Sequence, residues 1–428
     1  MTIRYSRRSF FSYSRTALAS IGLSSLMTPM QSIGAVLSHK DDDVNYYAKL
    51  GVEEIINAAG TYTSLTAAIM PEKVQLAVAR AAKSPVRLED LQLAAGSYLA
   101  KRLHCEAALV SAGAASALTL GTAACVTLAN DKKGEHVPPR IPQGMDSLKN
   151  EAIMQKGHRY GYDHALSNCG VRIVEVETLD EYRAAFTPKT VMTHFFNAAT
   201  SGTIGREDWI RISHAHNIPC MNDAAADMPP ISNLWKYTQM GFDLVCFSGG
   251  KGIRGPQNAG LLLGKKDLIA AAAENNNPID NVVGRGQKVA KEQIVGMVAA
   301  VDWLLSQTDE GMEREFRGRA KKIADYLSDV PTLTAQIYVP EVANHVPTLL
   351  LHYNREKVKI APLEVADMCR HGSPSIELHP ATGSPEPGLP SDANTIVVGV
   401  WMLQPGQDVI VAKRLRQILM EAASTQAS

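Results

Sequence analysis

Apolar runs and polar breaks alternate along most of this chain, as they do in a sheet whose strands are joined by helices. Short apolar runs that suit buried strands are separated by longer segments of helical periodicity. We predict strands at 107–110, 152–154, 171–176, 190–196, 218–223, 244–247 and 259–263. We predict helices at 71–82, 89–103, 111–126, 208–216 and 292–305. This alternation predicts an α/β fold with a mainly parallel sheet.

The pattern changes after about residue 331, where short strands and short helices follow one another. Here we predict strands at 345–351, 375–379 and 395–402, and helices at 362–370 and 408–422. We therefore predict a large domain at 44–325, with an N-terminal arm, and a smaller α+β domain at 326–428. A chain of 428 residues is long enough for both.

A Gly-rich turn separates two of the apolar runs and presents a single lysine. The run ending at Phe247 is followed by Ser248-Gly249-Gly250-Lys251-Gly252. Glycine permits tight turns and lets a ligand approach the backbone closely. A lysine at the end of a buried strand is partly desolvated, which lowers its pKa and yields a neutral amine that attacks carbonyl groups. The alternative is a solvated surface lysine, and the spacing excludes a Walker A motif.

A carboxylate ends the apolar run that precedes this turn. Asp223 follows 218–222, and ligands of open α/β sheets bind at strand ends. Taken alone, Asp223 could equally cap a helix that begins at 224–226. Taken with Lys251, it predicts a site for pyridoxal 5'-phosphate (PLP): the carboxylate pairs with the protonated pyridine nitrogen and the lysine bonds to the aldehyde carbon.

Three segments resemble fold-type I PLP enzymes: DAAADMPP from Asp223, FDLVCFSGGKGIRGPQNAG from Phe242 and GRGQKVAKEQIVGMVAAVDWLL from Gly284. They are most similar to the group of selenocysteine synthase (L-seryl-tRNA selenium transferase) and D-glucosaminate-6-phosphate ammonia-lyase. The resemblance covers roughly Val52 to the C-terminus. It implies the fold-type I transferase fold, PLP as the cofactor, and a homodimer or higher oligomer.

The same resemblance assigns the residues that hold the PLP phosphate. It places the phosphate on Gly113, Ala114 and the hydroxyl of Ser116, where a strand, a Gly turn and a helix start follow one another. The free backbone N–H groups of a helix N-terminus bind phosphate well. Ser248 is expected to contact the cofactor beside Lys251.

Three further positions follow the resemblance at the other strand ends. His158, after the strand at 152–154, is expected to stack on the cofactor ring, and His164 is its rival. Cysteine desulfurases, which are more distant relatives, have an Asn where this chain has Ala199. Thr200 is then the nearest candidate for the cofactor hydroxyl.

Candidate substrate contacts lie in two polar segments. The family places the loop that contains Asn57 near the active site. Arg285 and Lys288 precede a predicted helix, and a helix dipole does not favour cations at that end. We therefore expect an anion beside them, either a substrate carboxylate or a phosphate.

This resemblance implies that Lys251 is the catalytic base that removes the α-proton of an amino acid. Our leading hypothesis is an α/β-eliminating, ammonia-releasing lyase that acts on an amino acid or amino sugar acid. Alternatives are a selenium transferase-like enzyme and a PLP aldolase or racemase. A further hypothesis is a protein that binds PLP without catalysing a reaction.

Composition limits the partners. The chain has 43 Lys and Arg against 43 Asp and Glu, so it lacks the positive footprint of a nucleic-acid-binding protein. The six cysteines form no CxxC pair, and we interpret Cys220 and Cys246 as core residues. His214 and His216 are interpreted as solvated, so we predict no metal site. We expect a small-molecule, amino acid-like substrate, with no nucleic-acid or membrane partner.

The N-terminus has the order of a targeting segment. Ser6-Arg7-Arg8-Ser9-Phe10-Phe11 resembles the twin-arginine export pattern, and an uncharged stretch follows at 16–38. This stretch is only moderately apolar and is a poor membrane span. We therefore predict a signal segment at 1–40 and a periplasmic protein. The alternative is a cytoplasmic protein with a disordered tail.

Overall fold

The structure, a computed structural model, describes residues 44–131 and 140–424. The predicted signal segment at 1–40 lies outside these residues. The chain divides after Glu53: the described residues before this point contain helix α1 (Tyr46–Leu50), and those from Glu54 onward form one compact unit. No helix in the described ranges is long and apolar enough to span a bilayer.

The remaining elements alternate as the sequence predicts. The strands are β1 (Ile55–Ala58), β2 (Ala107–Ser111), β3 (Glu151–Gln155), β4 (Arg172–Val176), β5 (Thr190–Phe196), β6 (Cys220–Asp223), β7 (Leu244–Ser248), β8 (Gly260–Gly264), β9 (Thr334–Tyr338), β10 (Thr348–His352), β11 (Ser375–Leu378) and β12 (Thr395–Gly399). The helices are α2 (Glu72–Ala82), α3 (Leu88–Arg102), α4 (Ala114–Asn130), α5 (His164–Ser167), α6 (Leu179–Ala184), α7 (Arg206–Ala215), α8 (Asn233–Met240), α9 (Lys266–Glu274), α10 (Lys291–Leu304), α11 (Asp309–Tyr326), α12 (Pro362–Arg370) and α13 (Gln407–Ser424).

A seven-stranded sheet forms the centre of the fold, in the order β2-β8-β7-β6-β5-β3-β4. Strand β8 is antiparallel to both of its neighbours, and the other pairings in this sheet are parallel. Its strands read as continuous apolar runs because both faces are covered. Helices α4 and α9 pack on one face, and α2, α3, α7, α8 and α10 pack on the other. The predicted α/β class with a mainly parallel sheet is confirmed.

A second hydrophobic core packs against two smaller sheets. Strands β12, β10 and β9 form an antiparallel sheet, and β1 pairs in parallel with β11. Side chains of α11, α12 and α13, including Phe316, Val365 and Leu415, are buried in this core. The segment that carries Asn57 is therefore built into the C-terminal part of the fold. The predicted boundary near residue 325 stays a prediction, since residues from Glu54 form one unit.

Candidate active site

The ends of three parallel strands bring the predicted cofactor residues to one edge of the large sheet. Asp223 is the last residue of β6, and Ser248 ends β7 three positions before Lys251. Gly113 lies two residues after β2, which runs in the same direction as β6 and β7. The carboxyl ends of these strands therefore share one edge, as ligand sites of this fold class do.

Asp223 is buried, with 2% of its surface exposed. Its Oδ1 accepts hydrogen bonds from the backbone N–H of Ala225 (3.0 Å) and from the thiol of Cys246 (3.3 Å). Its Oδ2 accepts one from the hydroxyl of Tyr160. The chain turns after Asp223, and the next helix begins only at Asn233. The helix-cap alternative is therefore wrong.

Lys251 lies in the connection between β7 and β8. This connection runs from residue 249 to residue 259 and is longer than the tight turn that we predicted. Burial lowers the pKa of Lys251, and the nearby carboxylates of Asp223 and Asp227 oppose this shift. The chain passes so close to Met228 that a Cβ on Gly252 would lie 2.2 Å from its carbonyl oxygen. These contacts favour the desolvated amine that was expected of Lys251.

The start of helix α4 provides a phosphate cradle. Gly113 caps the helix with a φ of +85°, and a Cβ at this position would meet no atom within 4 Å. The Oγ of Ser116 is buried and has no hydrogen-bond partner. A free hydroxyl beside the unpaired N–H groups of a first helical turn fits a phosphate oxygen.

The two histidine candidates for stacking on the cofactor differ in burial. His158 is buried in a short 3-10 turn, where its Nδ1 accepts the backbone N–H of Phe196 at 3.2 Å. Burial lowers the pKa of His158 to about 4. His164 is exposed at the first residue of α5. Among these three side chains it is Tyr160 that reaches Asp223, and which ring stacks on the cofactor stays a prediction.

Two of the predicted substrate contacts, Arg285 and Asn57, bond to groups close to them in the sequence. The Nε of Arg285 pairs with Asp280 Oδ1 at 3.1 Å, and α10 begins only at Lys291. The helix-dipole argument for Arg285 and Lys288 therefore does not apply. The side chain of Asn57 shapes its own turn, because its Oδ1 accepts the N–H groups of Ala59 and Gly60 at 3.0 and 2.9 Å. Their substrate roles stay predictions.

Asp227 is a buried carboxyl group that the sequence patterns did not single out. Its Oδ2 accepts hydrogen bonds from Asn197 and, at 3.2 Å, from the hydroxyl of Tyr237. Its Oδ1 has no hydrogen-bond partner, and burial raises the pKa of Asp227 to about 6. The group lines a cavity of about 250 Å³ together with Arg206 and His345. Its position in DAAADMPP was visible, but nothing in the pattern distinguished it from a loop Asp.

Tyr62 and His379 form a pair that the sequence did not predict, with 2.9 Å between Oη and Nε2. Burial lowers the pKa of His379 to about 4, and its Nδ1 accepts the N–H of Ala381 at 3.1 Å. A neutral imidazole that accepts at Nδ1 carries its proton at Nε2. His379 therefore donates to Tyr62, and the hydroxyl hydrogen of Tyr62 stays available.

The loop that carries Tyr62 packs on the turn that carries Lys251. The N–H of Ala68 donates to the carbonyl of Gly250 at 2.9 Å, and Gln257 Nε2 donates to the carbonyl of Thr63 at 3.1 Å. The loop that carries Tyr62 therefore lies against the connection that carries Lys251. No signal in the sequence predicted the pairing of Tyr62 with His379, because the two are more than 300 positions apart.

A different polar cluster lies at the opposite edge of the sheet. His214 Nε2 and Asp243 Oδ2 are 2.9 Å apart, and the thiol of Cys220 lies 3.3 Å from the same oxygen. His214 and His216 are exposed, as predicted, and His214 in addition pairs with Asp243. These residue types can bind metals, but here they hydrogen-bond to one another. Our prediction of no metal site stays a prediction.

Comparison with known proteins places this geometry in a family. The family model of L-seryl-tRNA selenium transferase (SelA) matches residues 55–290, more than half of the chain. The chain belongs to the SelA family. It is a PLP-dependent enzyme, and PLP is the expected cofactor. Lys251, Asp223 and the cradle at the start of α4 fit the aldehyde, the pyridine nitrogen and the phosphate of that cofactor.

Individual relatives match this chain over different lengths. A 5'-C-glycyluridine monooxygenase-decarboxylase from a Streptomyces species is 27% identical over 88% of this chain and 92% of its own. D-glucosaminate-6-phosphate ammonia lyase of Salmonella typhimurium is 24% identical over 89% of this chain and 99% of its own. An L-seryl-tRNA(Sec) selenium transferase from Mannheimia succiniciproducens is 26% identical, but over only 54% of each chain.

Solved structures agree on the fold. A D-glucosaminate-6-phosphate ammonia-lyase structure superposes with a TM-score of 0.75 at 24% identity, covering 89% of this chain and all of that one. A serine palmitoyltransferase structure with bound PLP reaches a TM-score of 0.52 at 11% identity, covering 86% of this chain and 88% of that one. The predicted fold-type I architecture is confirmed.

Proposed function

We propose that this SelA-family enzyme is a lyase that releases ammonia from an amino acid or an amino sugar acid. The observation that carries the proposal is a pair of carboxyl groups, Asp223 and Asp227, both close enough to Lys251 to act on its charge. Asp223 has an anchoring role, while Asp227 is buried with one free oxygen. An elimination needs a base for one proton and an acid for the leaving group, and this arrangement offers both.

Each side chain has a defined task in this proposal. Bound PLP supplies an electron sink for the bond broken at the α-carbon. The amine of Lys251 would take the α-proton, and burial, which lowers its pKa, favours the neutral form that this step needs. Asp223 would hold the protonated pyridine nitrogen of PLP. Asp227, whose pKa is raised to about 6, can carry a proton near neutral pH and deliver it to the departing group.

The length of the similarities supports a lyase over a tRNA-linked transferase. The ammonia lyase of Salmonella aligns over 99% of its length, whereas the Mannheimia selenium transferase aligns over 54% of its length. The balanced charge of the chain, 43 basic against 43 acidic residues, also offers little attraction for tRNA. We propose a small-molecule substrate with a carboxylate, for which Arg285, Lys288 and Asn57 remain candidate contacts.

The test is a panel of amino acids and amino sugar acids, in both enantiomers, incubated with holoenzyme. We expect ammonia and a keto acid from at least one member, with none from Lys251→Ala. Dissolved oxygen is recorded in parallel, because one relative is a monooxygenase-decarboxylase. Oxygen uptake with CO₂ release and no elimination product would contradict the lyase proposal. Exchange of the α-hydrogen alone would indicate a racemase.

We also propose that the enzyme is a homodimer or a higher oligomer. Large apolar side chains are exposed on and beside α2 and α3, among them Ile69, Leu76, Val86 and Leu93. Exposed apolar surface of this kind favours association. Light scattering should give a multiple of the 46.2 kDa chain mass, and a Leu76→Glu, Leu93→Glu variant should shift towards monomer. A monomeric wild-type holoenzyme would contradict this proposal.

Export to the periplasm is a separate proposal. It rests on the order of basic, uncharged and acidic blocks from Arg7 and Arg8 to Asp41-Asp42-Asp43. Twin-arginine export carries folded proteins, so PLP made inside the cell would travel with the enzyme. Cells expressing the native chain should contain a shortened protein in the periplasm, and an Arg7→Lys, Arg8→Lys variant should stay cytoplasmic. Full-length cytoplasmic protein in both cases would contradict export.

A further inference from the structure

The hydroxyl of Tyr160 hydrogen-bonds Asp223 from the loop after β3. Its ring lies parallel to that of Phe196, with centroids 3.9 Å apart at 10°. Its backbone N–H donates to Asp163 Oδ2 at 3.2 Å, and Arg159 Nε donates to the same oxygen at 2.6 Å. Ring and backbone are therefore both held, and the hydroxyl has little freedom to leave Asp223.

The hydrogen bonds of Asp223 can be counted. An ionised carboxylate accepts about four hydrogen bonds, two at each oxygen. Oδ1 accepts from Ala225 N–H and from the Cys246 thiol, so both of its positions are filled. Oδ2 accepts from Tyr160. One acceptor position remains, and it lies on the oxygen that Tyr160 holds.

The direction of the bonds follows from His194. Its Nε2 is 3.3 Å from the hydroxyl oxygen of Tyr160. Tyr160 has one hydroxyl hydrogen, which it donates to the acceptor-only carboxylate, so His194 must donate its Nε2–H to Tyr160. The Nδ1 of His194 is then a bare acceptor, and it is buried without a partner. The chain of donation runs from His194 to Tyr160 to Asp223.

We propose that Tyr160 is a positioning residue: it fixes the Asp223 carboxylate so that the single free acceptor position on Oδ2 meets the protonated nitrogen of PLP. His194 in turn fixes the hydroxyl of Tyr160. This inference rests on PLP as the cofactor and not on the proposed lyase activity, so either can fail without the other.

The test is the dissociation constant of PLP for the full-length apoenzyme, followed by visible absorbance. Tyr160→Phe keeps the ring on Phe196 and removes only the hydroxyl. We expect it to weaken PLP binding about tenfold, the size of one hydrogen bond to a charged group. Tyr162→Phe is the matched control: Tyr162 is the neighbouring ring, 62% exposed, and this change should leave binding within about twofold.

A double-mutant cycle shows whether Tyr160 acts through Asp223. In the Asp223→Ala background, Tyr160→Phe should change PLP binding by less than about twofold. The same tenfold loss in both backgrounds would mean that Tyr160 contacts PLP itself, and unchanged binding in the wild-type background would remove any role; each result overturns the proposal. Should Tyr160→Phe fail to fold by circular dichroism, His194→Leu and His194→Gln replace it. Leu should weaken binding and Gln, which keeps a donor, should restore it; equal constants would overturn the proposal.

Discussion

A buried carboxylate lies at each end of strand β6, and the two differ in how the chain occupies their oxygens. At its first residue, Cys220, the N–H and the thiol both face Asp243 Oδ2, at 2.8 and 3.3 Å. His214 reaches the same oxygen at 2.9 Å, and Lys265 Nζ lies 4.0 Å from Oδ1. Asp243 Oδ2 is therefore fully occupied by groups of the chain, and Oδ1 faces the ammonium of Lys265.

The other end of β6 is incomplete in comparison. Asp223 has one acceptor position left, Asp227 Oδ1 is unpaired, and Ser116 Oγ is buried without a partner. Buried polar groups without partners are costly, so natural proteins rarely keep them without a ligand or a role. Buried polar residues alone therefore do not identify a site. At this end of β6, the unsatisfied positions of Asp223 and Ser116 fit the pyridine nitrogen and the phosphate of PLP.

The largest expected effect is on turnover, and it distinguishes Asp223 from Asp243. Asp223→Ala should still bind PLP but lose turnover by a factor of hundreds, about 3–4 kcal/mol of transition-state stabilisation. Without the Asp223 carboxylate the pyridine nitrogen can lose its proton, and the PLP ring then no longer acts as an electron sink. The assay uses the best amine found in the panel. Near-native turnover of Asp223→Ala would contradict the role of this end of β6.

The next effect concerns the phosphate cradle. A Cβ on Gly260 would lie 2.5 Å from the carbonyl carbon of Gly113 and 2.9 Å from the N of Ala114. Gly260→Ala should therefore displace the start of α4 and weaken PLP binding about tenfold or more, as overpacking typically costs about 1–3 kcal/mol. Gly318→Ala is the control, because a Cβ there meets no atom within 4 Å. Equal PLP dissociation constants for the two variants would show that the cradle does not hold the phosphate.

The smallest effect on PLP binding should appear at the Asp243 end of β6. Asp243→Ala leaves the N–H of Cys220 and the imidazole of His214 without their acceptor. The free energy of unfolding should fall by about 1–3 kcal/mol in urea denaturation. PLP affinity of the folded variant should not change. If Asp243→Ala lost PLP affinity while its free energy of unfolding stayed the same, the roles that we assign to the two ends of β6 would be wrong.

Local patterns in the sequence predicted much of the fold. The parallel strands and most helices lie within a few residues of the predicted bounds, since buried strands and amphipathic helices have different periods. Strand β9 and helices α1, α6, α8, α9 and α11 were not predicted. The α/β class and the strand-end positions of Asp223 and Lys251 also followed from the sequence.

The rest of the site depends on contacts between distant positions. Tyr160 reaches Asp223 only because β3 and β6 both flank β5 in the sheet. Tyr62 meets His379 because β1 pairs with β11, and β11 ends next to His379. Cys246 looked like a core residue, and it is buried, but its thiol also donates to Asp223. A single sequence holds no signal for such pairs.

The central claim is that Lys251 carries the cofactor. Holoenzyme reduced with borohydride, digested and examined by mass spectrometry should show PLP attached to Lys251 at about one group per chain. Lys251→Ala should show no attached PLP after the same treatment, while circular dichroism confirms that it is folded. Attachment to a different lysine in the wild type, or wild-type levels of attachment in Lys251→Ala, would contradict the account.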